Sequence, residues 1–275
     1  MSIEAKKTLG QHFLRSDKAI REIVEAGHIV PGDVILEIGP GEGVLTEALL
    51  STGAHIIAIE MDQRCIPILH ERFKKEEGEG RFQLLEGDVR NPELLRVLFG
   101  KSHIGNKPYK LIANIPYYIT GLLFRMFLET TPPVRQPTLM VYLIQKEVAE
   151  QLVGRDGKYG NLALAAMLYG KPRIVAKVPK GAFLPPPKVD SSIIAIEDIS
   201  RKNISGFSEK TFFMLTHAGL ASRRKMLLTN LVNVLKVDRT RLQLIFERCG
   251  INEKVRAEDL KLADWIMLAR EIEQL

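Results

Sequence analysis

The strongest constraint on the fold of this chain is a repeated unit, in which a short apolar run ends at a polar side chain and a helical pattern follows. The runs are residues 34–36, 56–59, 82–85 and 111–113, and the polar residues at or just beyond their ends are Glu37, Glu60, Asp88 and Asn114. Apolar runs of this length, bounded by turns, are typical of strands buried on both faces of a parallel sheet. Because parallel strands end at the same edge, we expect the four polar side chains to surround one ligand site.

The remaining sequence extends this α/β pattern and adds a smaller helical segment. Further strands are predicted at residues 139–144, 174–178 and 192–196, which gives a mixed, seven-stranded Rossmann-like sheet with helices on both faces. We predict an N-terminal arm and helix over residues 1–26, the sheet domain over 27–200 and a helical domain over 207–275. The periodicity of the last segment places an inner face at Phe212, Phe213, Leu215, Leu227, Leu228, Leu231 and Leu235. We predict a core position for the lone Trp265, with a platform for base stacking as the alternative.

A glycine-rich turn follows the first predicted strand. Residues 37–43 read Glu-Ile-Gly-Pro-Gly-Glu-Gly, and this GxGxG spacing differs from the GxGxxG fingerprint of dinucleotide-binding proteins. Glycines in such a turn allow a nucleotide-like cofactor to approach the backbone. Glu60 is placed to bond ribose hydroxyls, and Asp88 to accept from the adenine amine. The set fits S-adenosylmethionine better than NAD, because the chain has no second phosphate-binding fingerprint.

The tetrapeptide Asn114-Ile115-Pro116-Tyr117 follows the fourth predicted strand and is typical of methyltransferases that act on the exocyclic amine of a base. That nitrogen is a poor nucleophile because its lone pair is delocalised into the ring. An Asn oxygen and a nearby backbone carbonyl can accept both of its hydrogens and orient it. The Pro fixes the turn and the Tyr ring can stack on the base. The alternative is an ordinary strand-end turn, which needs no catalytic role.

Charge and composition exclude several classes of protein. From Arg201 to the C terminus, 14 Lys and Arg stand against 9 Asp and Glu, and residues 171–188 form a second basic stretch. These features predict a polyanionic partner, with an ordinary solvated surface as the alternative. Cys65 and Cys249 are too few for a disulfide framework or a zinc site, so we predict buried apolar roles for them. We also expect no signal peptide, and no apolar run approaches the ~20 residues of a membrane helix.

Several further motifs resemble one family. They are Gly10-Gln11-His12-Phe13-Leu14 and the segments 145–149 (QKEVA), 158–162 (KYGNL), 183–191 (FLPPPKVDS), 222–225 (SRRK) and 255–258 (VRAE). Together with the strand-end set they resemble the KsgA-type (RsmA) ribosomal RNA adenine dimethyltransferases, which share their fold with the erythromycin-resistance methyltransferases. The resemblance covers nearly the whole chain, and the segment after residue 205 is similar to the helical domain of the ribosomal branch.

The resemblance implies that S-adenosylmethionine methylates N6 of two adjacent adenines in the 3′-terminal hairpin of 16S-type small-subunit ribosomal RNA, within the small subunit or its precursor. It implies a catalytic set of Asn114, Ile115, Pro116, Tyr117 and Phe183, with Tyr117 and Phe183 on either side of the base. The implied cofactor set is His12, Leu14, Gly39, Gly41, Glu60, Met61, Asp88, Val89 and Asn114. We predict RNA contacts at Lys180, Lys188, Arg223, Arg224 and Lys225. We expect a cytoplasmic monomer that uses no metal ion and contacts no membrane.

Two departures and two alternatives accompany this resemblance. His12 and Tyr118 each stand where the family frequently has Asn. A resistance-type enzyme that methylates large-subunit RNA is one alternative, and the C-terminal segment favours the ribosomal branch over it. A nucleic-acid-binding factor without catalysis is the other, and the intact strand-end set argues against it.

Overall fold

The computed structural model describes residues 3–6, 10–100, 103–129, 134–222 and 224–274. Within these residues seven strands form the main sheet: β1 Val34–Ile38, β2 His55–Glu60, β3 Phe82–Glu86, β4 Lys110–Asn114, β5 Leu139–Gln145, β6 Lys171–Val178 and β7 Ser191–Glu197. The α-helices of the same residues are α1 Asp17–Ala26, α2 Val44–Leu50, α3 Ile66–Arg72, α4 Lys74–Gly78, α5 Pro92–Leu98, α6 Thr120–Leu128, α7 Lys146–Val153, α8 Asn161–Tyr169, α9 Glu209–Leu220, α10 Leu227–Leu235, α11 Arg239–Arg248 and α12 Leu262–Glu273. The strands coincide with the predicted apolar runs.

The main sheet is mixed, which confirms the predicted fold class. Its strand order is β3-β2-β1-β4-β5-β7-β6. Neighbours from β3 to β5 run parallel, and β7 runs antiparallel to β5. The chain direction across the sheet reverses between β1 and β4, and ligands of open α/β sheets bind at the carboxyl ends of strands beside such a reversal.

The first helix shows how local sequence and core packing combine. Ser16 caps α1, because its hydroxyl accepts from the backbone N of Ala19 at 3.3 Å. Ala19, Ile20, Ile23 and Ala26 recur at helical spacing and are buried against the sheet, while the opposite face is charged. Truncation of the fully buried Ile23 to Ala would destabilise the fold by about 2–5 kcal/mol.

A short antiparallel ribbon holds the segment before α1. Phe13–Leu14 pairs with Phe183–Leu184, with Phe13 opposite Leu184 and Leu14 opposite Phe183. The backbone N of Arg15 extends the ribbon by donating to the carbonyl of Ala182 at 2.8 Å. This pairing places residues 10–14 beside the carboxyl edge of the sheet, where they line the cleft described below.

The chain divides into two compact units. The first contains residues 1–149 and 173–199, and the second contains residues 150–172 and 200–275. This division assigns residues 150–172 to the helical unit, whereas the sequence analysis predicts them in the sheet domain. The predicted boundaries remain a proposal about which segments fold independently. Contacts with the 3₁₀ turn at Ala257–Asp259 contribute to this grouping. Lys158 forms an ion pair with Glu258 at 2.8 Å, and the backbone N of Tyr159 donates to the carbonyl of Glu258 at 2.9 Å.

The helical unit is built around Trp265, which is buried as predicted. Gly219 on α9 lies so close to this ring that a Cβ at that position would be 2.5 Å from Trp265 Cη2. The predicted inner face is largely confirmed, since Phe212, Leu215, Leu227, Leu228 and Leu231 are buried, while Phe213 and Leu235 are half-buried. No helix of the described residues is long and apolar enough to cross a membrane.

Candidate active site

A cleft opens at the carboxyl edge of the parallel strands. It is lined by residues 10–14 of the arm, 37–42 of the glycine turn, 44–45 at the start of α2, 59–61 after β2, 87–90 after β3 and 114–119 after β4. Twelve of the residues predicted for catalysis or cofactor binding therefore meet in one place: His12, Leu14, Gly39, Gly41, Glu60, Met61, Asp88, Val89, Asn114, Ile115, Pro116 and Tyr117.

The glycine turn forms part of the cleft lining. Gly39 and Gly41 have φ angles of +70° and +60°, a region that side chains with a Cβ rarely adopt. A Cβ at Gly39 would meet no described atom within 4 Å, so this position faces open space. At Gly41 a Cβ would lie 3.1 Å from the ring of Phe13. The turn is therefore shaped to leave room above Gly39 and to accept the arm against Gly41.

Glu60 is a buried carboxylate that holds the glycine turn through hydrogen bonds to backbone N–H groups. Its Oε2 accepts from the backbone N of Gly41 at 2.9 Å, and its Oε1 accepts from the backbone N of Asp62 at 2.8 Å. Burial raises the pKa of Glu60, and the backbone donors oppose that rise. Each carboxylate oxygen can accept more than one hydrogen bond, so acceptor capacity remains for vicinal hydroxyls of a ligand.

Asp88 is held by a neighbour that the sequence did not single out. The Arg90 guanidinium donates Nε to both carboxylate oxygens at 2.9 Å and Nη2 to Oδ2 at 2.5 Å. This contact lowers the pKa of Asp88, so the side chain is an anionic acceptor at the mouth of the cleft. Such an acceptor suits the exocyclic amine of an adenine ring.

Asn114 ends β4 with a defined amide orientation. Its Nδ2 donates to the backbone carbonyl of His12 at 3.2 Å. The Oδ1 atom is therefore the part of the amide that can accept from a substrate N–H. The arm thus fixes the orientation of the residue on which the predicted chemistry depends.

Tyr117 and His12 line both this cleft and an adjoining groove, which is formed by residues 3–5, 10–13, 15, 117, 145 and 184–188. The Tyr117 hydroxyl is 2.7 Å from Ser191 Oγ, and its ring stacks with that of His12 at a centroid distance of 5.7 Å. His12 Nδ1 lies 2.8 Å from the carbonyl of Pro185. A carbonyl can only accept, so Nδ1 carries the proton of that bond. His12 thereby connects the arm to the Pro-rich segment.

Phe183 is placed differently from the other members of the predicted catalytic set. Its side chain is 4% exposed and packs in the core cluster that contains Leu14. Among the described residues it is absent from the lining of the cleft and of the adjoining groove. Stacking on a base would require the ring to leave this position, so the role of Phe183 stays a prediction.

The predicted RNA contacts lie in both units. In the first unit Lys188 lines the adjoining groove and Lys180 is exposed. In the second unit Arg224 and Lys225 are exposed in the turn before α10. Arg223 lies outside the described residues. These positions are compatible with contacts to phosphate, which stay predictions.

Glu37, the first of the four strand-end residues predicted from the sequence, also lines the cleft, although the sequence assigned it no specific role. Glu37 is 1% exposed, and the hydroxyl of Thr46 donates to its Oε2 at 2.7 Å. Burial, reinforced by the charge of Glu60, raises the pKa of Glu37 to about 8. Its position near a strand end was visible in the sequence, but its burial was not.

The residues of the cleft fit S-adenosylmethionine. The open position at Gly39 admits a ligand against the backbone, and the acceptors Glu60 and Asp88 match a ribose and an adenine amine. Two acids, Glu37 and Glu60, give the interior negative potential when ionised, which suits a cationic ligand. In the described residues no group of three or more His, Cys, Asp or Glu side chains is arranged to hold a metal ion.

Comparison with known proteins agrees with this chemistry. The chain matches the family described as Ribosomal RNA adenine dimethylase over residues 3–274. A protein of Dehalococcoides mccartyi named Ribosomal RNA small subunit methyltransferase A is 40% identical over 267 residues, which cover 97% of this chain and 88% of that protein. A protein of the same name from a Nostoc species is 37% identical over 271 residues, which cover 97% of each chain.

Solved structures show the same architecture. A dimethyladenosine transferase from Plasmodium falciparum has a TM-score of 0.78 and 26% identity, with 96% of this chain and 98% of that chain covered. The 23S rRNA methyltransferase ErmE has a TM-score of 0.70 and 23% identity, with 95% and 100% covered. The second likeness concerns the fold alone.

Proposed function

This chain belongs to the ribosomal RNA adenine dimethylase family, and on that premise we propose that it forms N6,N6-dimethyladenine at two adjacent adenines of small-subunit ribosomal RNA. The adenines are those of the 3′-terminal hairpin, S-adenosylmethionine is the methyl donor, and S-adenosylhomocysteine is the product. The observation that supports this most strongly is the oriented Asn114 amide, which shares one cleft with the glycine turn and Glu60.

The proposed chemistry depends on orientation of the amine. Bound S-adenosylmethionine supplies a methyl group that is already electrophilic. Asn114 Oδ1 and the Ile115 carbonyl accept the two hydrogens of N6 and direct its lone pair into the cleft. The new N–C bond forms as the S–C bond breaks, and the surplus proton on N6 leaves to water. Two additions per base require the monomethyl product to rotate and bind again.

Substrate delivery requires an unstacked base. An adenine within a helical stack cannot reach Asn114, so it enters flipped or from an unpaired loop. Tyr117 is suited to stack on it, because its hydroxyl is anchored to Ser191 and its ring faces His12. Lys180, Lys188 and residues 223–225 contact RNA phosphates, which position the substrate without reading its sequence.

The setting of the reaction is part of the same proposal. The RNA is bound within the small ribosomal subunit or its precursor, and the protein acts as a cytoplasmic monomer. The transfer needs no metal ion, because the sulfonium already activates the methyl group. Family membership supports ribosomal RNA as the substrate, and the acceptors of the cleft support S-adenosylmethionine as the methyl donor.

The test is methyl transfer from labelled S-adenosylmethionine to unmethylated small subunits, followed by mapping of the modified bases. Large subunits and naked small-subunit RNA are parallel substrates, and the Asn114→Ala variant is the matched control. We expect label at two adjacent adenines of the small subunit, and transfer that is at least about 100-fold slower with the variant. Label on large-subunit RNA would support the resistance-type alternative. Cofactor binding without transfer to any of the three RNAs would contradict the proposal.

A further inference from the structure

The N-terminal arm, defined here as residues 3–6 and 10–15, is fastened to the cofactor side of the cleft by two buried carboxylates. Asp62 lies two residues after β2 and is 3% exposed, and Glu42 lies in the glycine turn and is 8% exposed. Residues 10–14 of the arm form part of the cleft wall. These contacts therefore determine the position of residues 10–14 in the cleft wall.

Asp62 and Arg64 form the first fastening. The Arg64 guanidinium donates Nε to Asp62 Oδ1 at 3.0 Å and Nη2 to Asp62 Oδ2 at 2.6 Å. Its other donors reach the arm, with Nη1 at 2.9 Å from the carbonyl of Glu4 and Nη2 at 3.3 Å from Gln11 Oε1. Gln11 Nε2 in turn donates to Asp62 Oδ2 at 2.7 Å. One planar guanidinium thus bridges the carboxylate and two points of the arm, which a Lys ammonium cannot reproduce.

Glu42 forms the second fastening at the two ends of the arm. Its Oε1 accepts from the backbone N of Ile3 at 2.8 Å, and its Oε2 accepts from Arg15 Nη2 at 2.5 Å. Arg72 secures the turn itself by donating to the Glu42 carbonyl at 2.7 Å. Charge-assisted bonds to a buried carboxylate are among the stronger hydrogen bonds in proteins.

The first fastening shares a backbone segment with the predicted ribose acceptor. The backbone N of Asp62 donates to Glu60 Oε1, while Glu60 Oε2 holds the N of Gly41. Movement of Asp62 would consequently disturb both the arm and the acid that faces the cofactor. Asp62 and Arg64 are nevertheless outside the lining of the cleft in the described residues.

We infer that Asp62 and Arg64 are positioning residues for the cofactor, which act by holding the arm as a preformed wall of the cleft. The inference rests on the proposed function, because it takes S-adenosylmethionine as the ligand. An unfastened arm is correctly placed for only part of the time, and apparent affinity falls by that fraction. The ligand would also leave faster, because the wall that retains it opens.

The experiment compares wild type with Arg64→Lys, which keeps the charge and removes the fork. Calorimetry and stopped-flow measure binding and dissociation of S-adenosylhomocysteine, and trypsin cleavage at Lys6 measures release of the arm without ligand. We expect an affinity loss of about tenfold, faster dissociation and faster cleavage at Lys6, on the scale of one or two charge-assisted bonds. Asp62→Asn, tested in parallel, removes the carboxylate charge that holds Arg64 and lies outside the cleft lining, and it should give the same three changes if Arg64→Lys does not fold. Arg96→Lys is the control, since Arg96 pairs with Glu93 on exposed α5, and it should match wild type.

The outcomes separate this inference from the proposed function. Faster cleavage at Lys6 with unchanged affinity and dissociation would show that the fastening is structural, and would overturn the inference alone. Weaker binding with unchanged cleavage would also overturn it, because Arg64 would then act by another route. Wild type that binds neither S-adenosylmethionine nor S-adenosylhomocysteine would overturn the proposed function and the inference with it.

Discussion

Replacement of Glu37 by Gln tests the electrostatics of the cleft most directly. The carboxyl is buried at the end of β1, and its raised pKa of about 8 contrasts with an ordinary value of 4.5. The folded protein therefore keeps a proton on Glu37 that the unfolded chain releases as pH rises above 4.5. The resulting stability is fully present below pH 4.5 and is lost as pH rises through about 8. Gln is neutral at every pH, and its carbonyl oxygen can accept from Thr46 as the carboxyl does.

The magnitude follows from the two pKa values. At 1.36 kcal/mol per unit, the difference between 4.5 and about 8 corresponds to roughly 5 kcal/mol for ionising Glu37 in the folded state. Relaxation around the charge reduces this figure. We expect Glu37→Gln to be more stable relative to wild type at pH 8.5 than at pH 4.5, with a free energy of unfolding that is larger by roughly 2–4 kcal/mol.

Urea unfolding followed by far-ultraviolet circular dichroism, at intervals from pH 4.5 to 8.5, measures this difference. Glu93→Gln is the control, because Glu93 is an exposed acid paired with Arg96, and its effect should stay within about 0.5 kcal/mol at all pH values. A Glu37→Gln difference that does not change with pH would refute the reasoning. The same raised pKa predicts that binding of a cationic ligand releases a proton at pH 7 in wild type and none in Glu37→Gln. Calorimetry in buffers of different ionisation enthalpy would detect it.

Five further sets of substitutions test the remaining roles. Glu60→Ala should weaken S-adenosylmethionine binding by roughly 1.5–3 kcal/mol, because it removes a charged acceptor and frees the backbone N of Gly41; unchanged affinity by calorimetry in a folded variant would contradict this. Asn114→Ala should slow single-turnover methyl transfer by at least about 100-fold with RNA binding retained, and near wild-type transfer would remove Asn114 from the mechanism. Tyr117→Ala should cost about 1–3 kcal/mol of transition-state stabilisation while Tyr117→Phe, which loses only the bond to Ser191, costs less. Phe183→Leu should slow transfer without loss of fold if the ring stacks on the base, whereas normal transfer would assign Phe183 to core packing. Replacement of Arg223, Arg224 and Lys225 by Ala should weaken small-subunit binding. The slope of the logarithm of the binding constant against the logarithm of salt concentration should fall in magnitude by roughly one unit per lost phosphate contact, and an unchanged slope would show that these residues do not bind RNA.

The sequence determined the strands and the edge at which the site lies. Runs such as 56–59 and 139–144 predict strands from local sequence alone, because a strand buried on both faces needs continuous apolar residues. Strand ends then follow from the polar residues that close each run. Since parallel strands end at one edge, Glu60, Asp88 and Asn114 were predicted to converge before any contact was known. The helical periodicity after residue 207 likewise identified the inner-face residues Phe212, Leu215 and Leu231, which are buried.

Tertiary structure alone decided the environments of the individual side chains. Phe183 is buried because it pairs with Leu14, a residue far away in the sequence. The burial that raises the pKa of Glu37, the Arg90 contact on Asp88 and the fastening of the arm by Asp62 likewise depend on packing. Local patterns encode backbone conformation, because neighbouring residues share the same turn or strand. Burial, charge pairing and desolvation depend on distant residues, and these appear only once the sheet is formed.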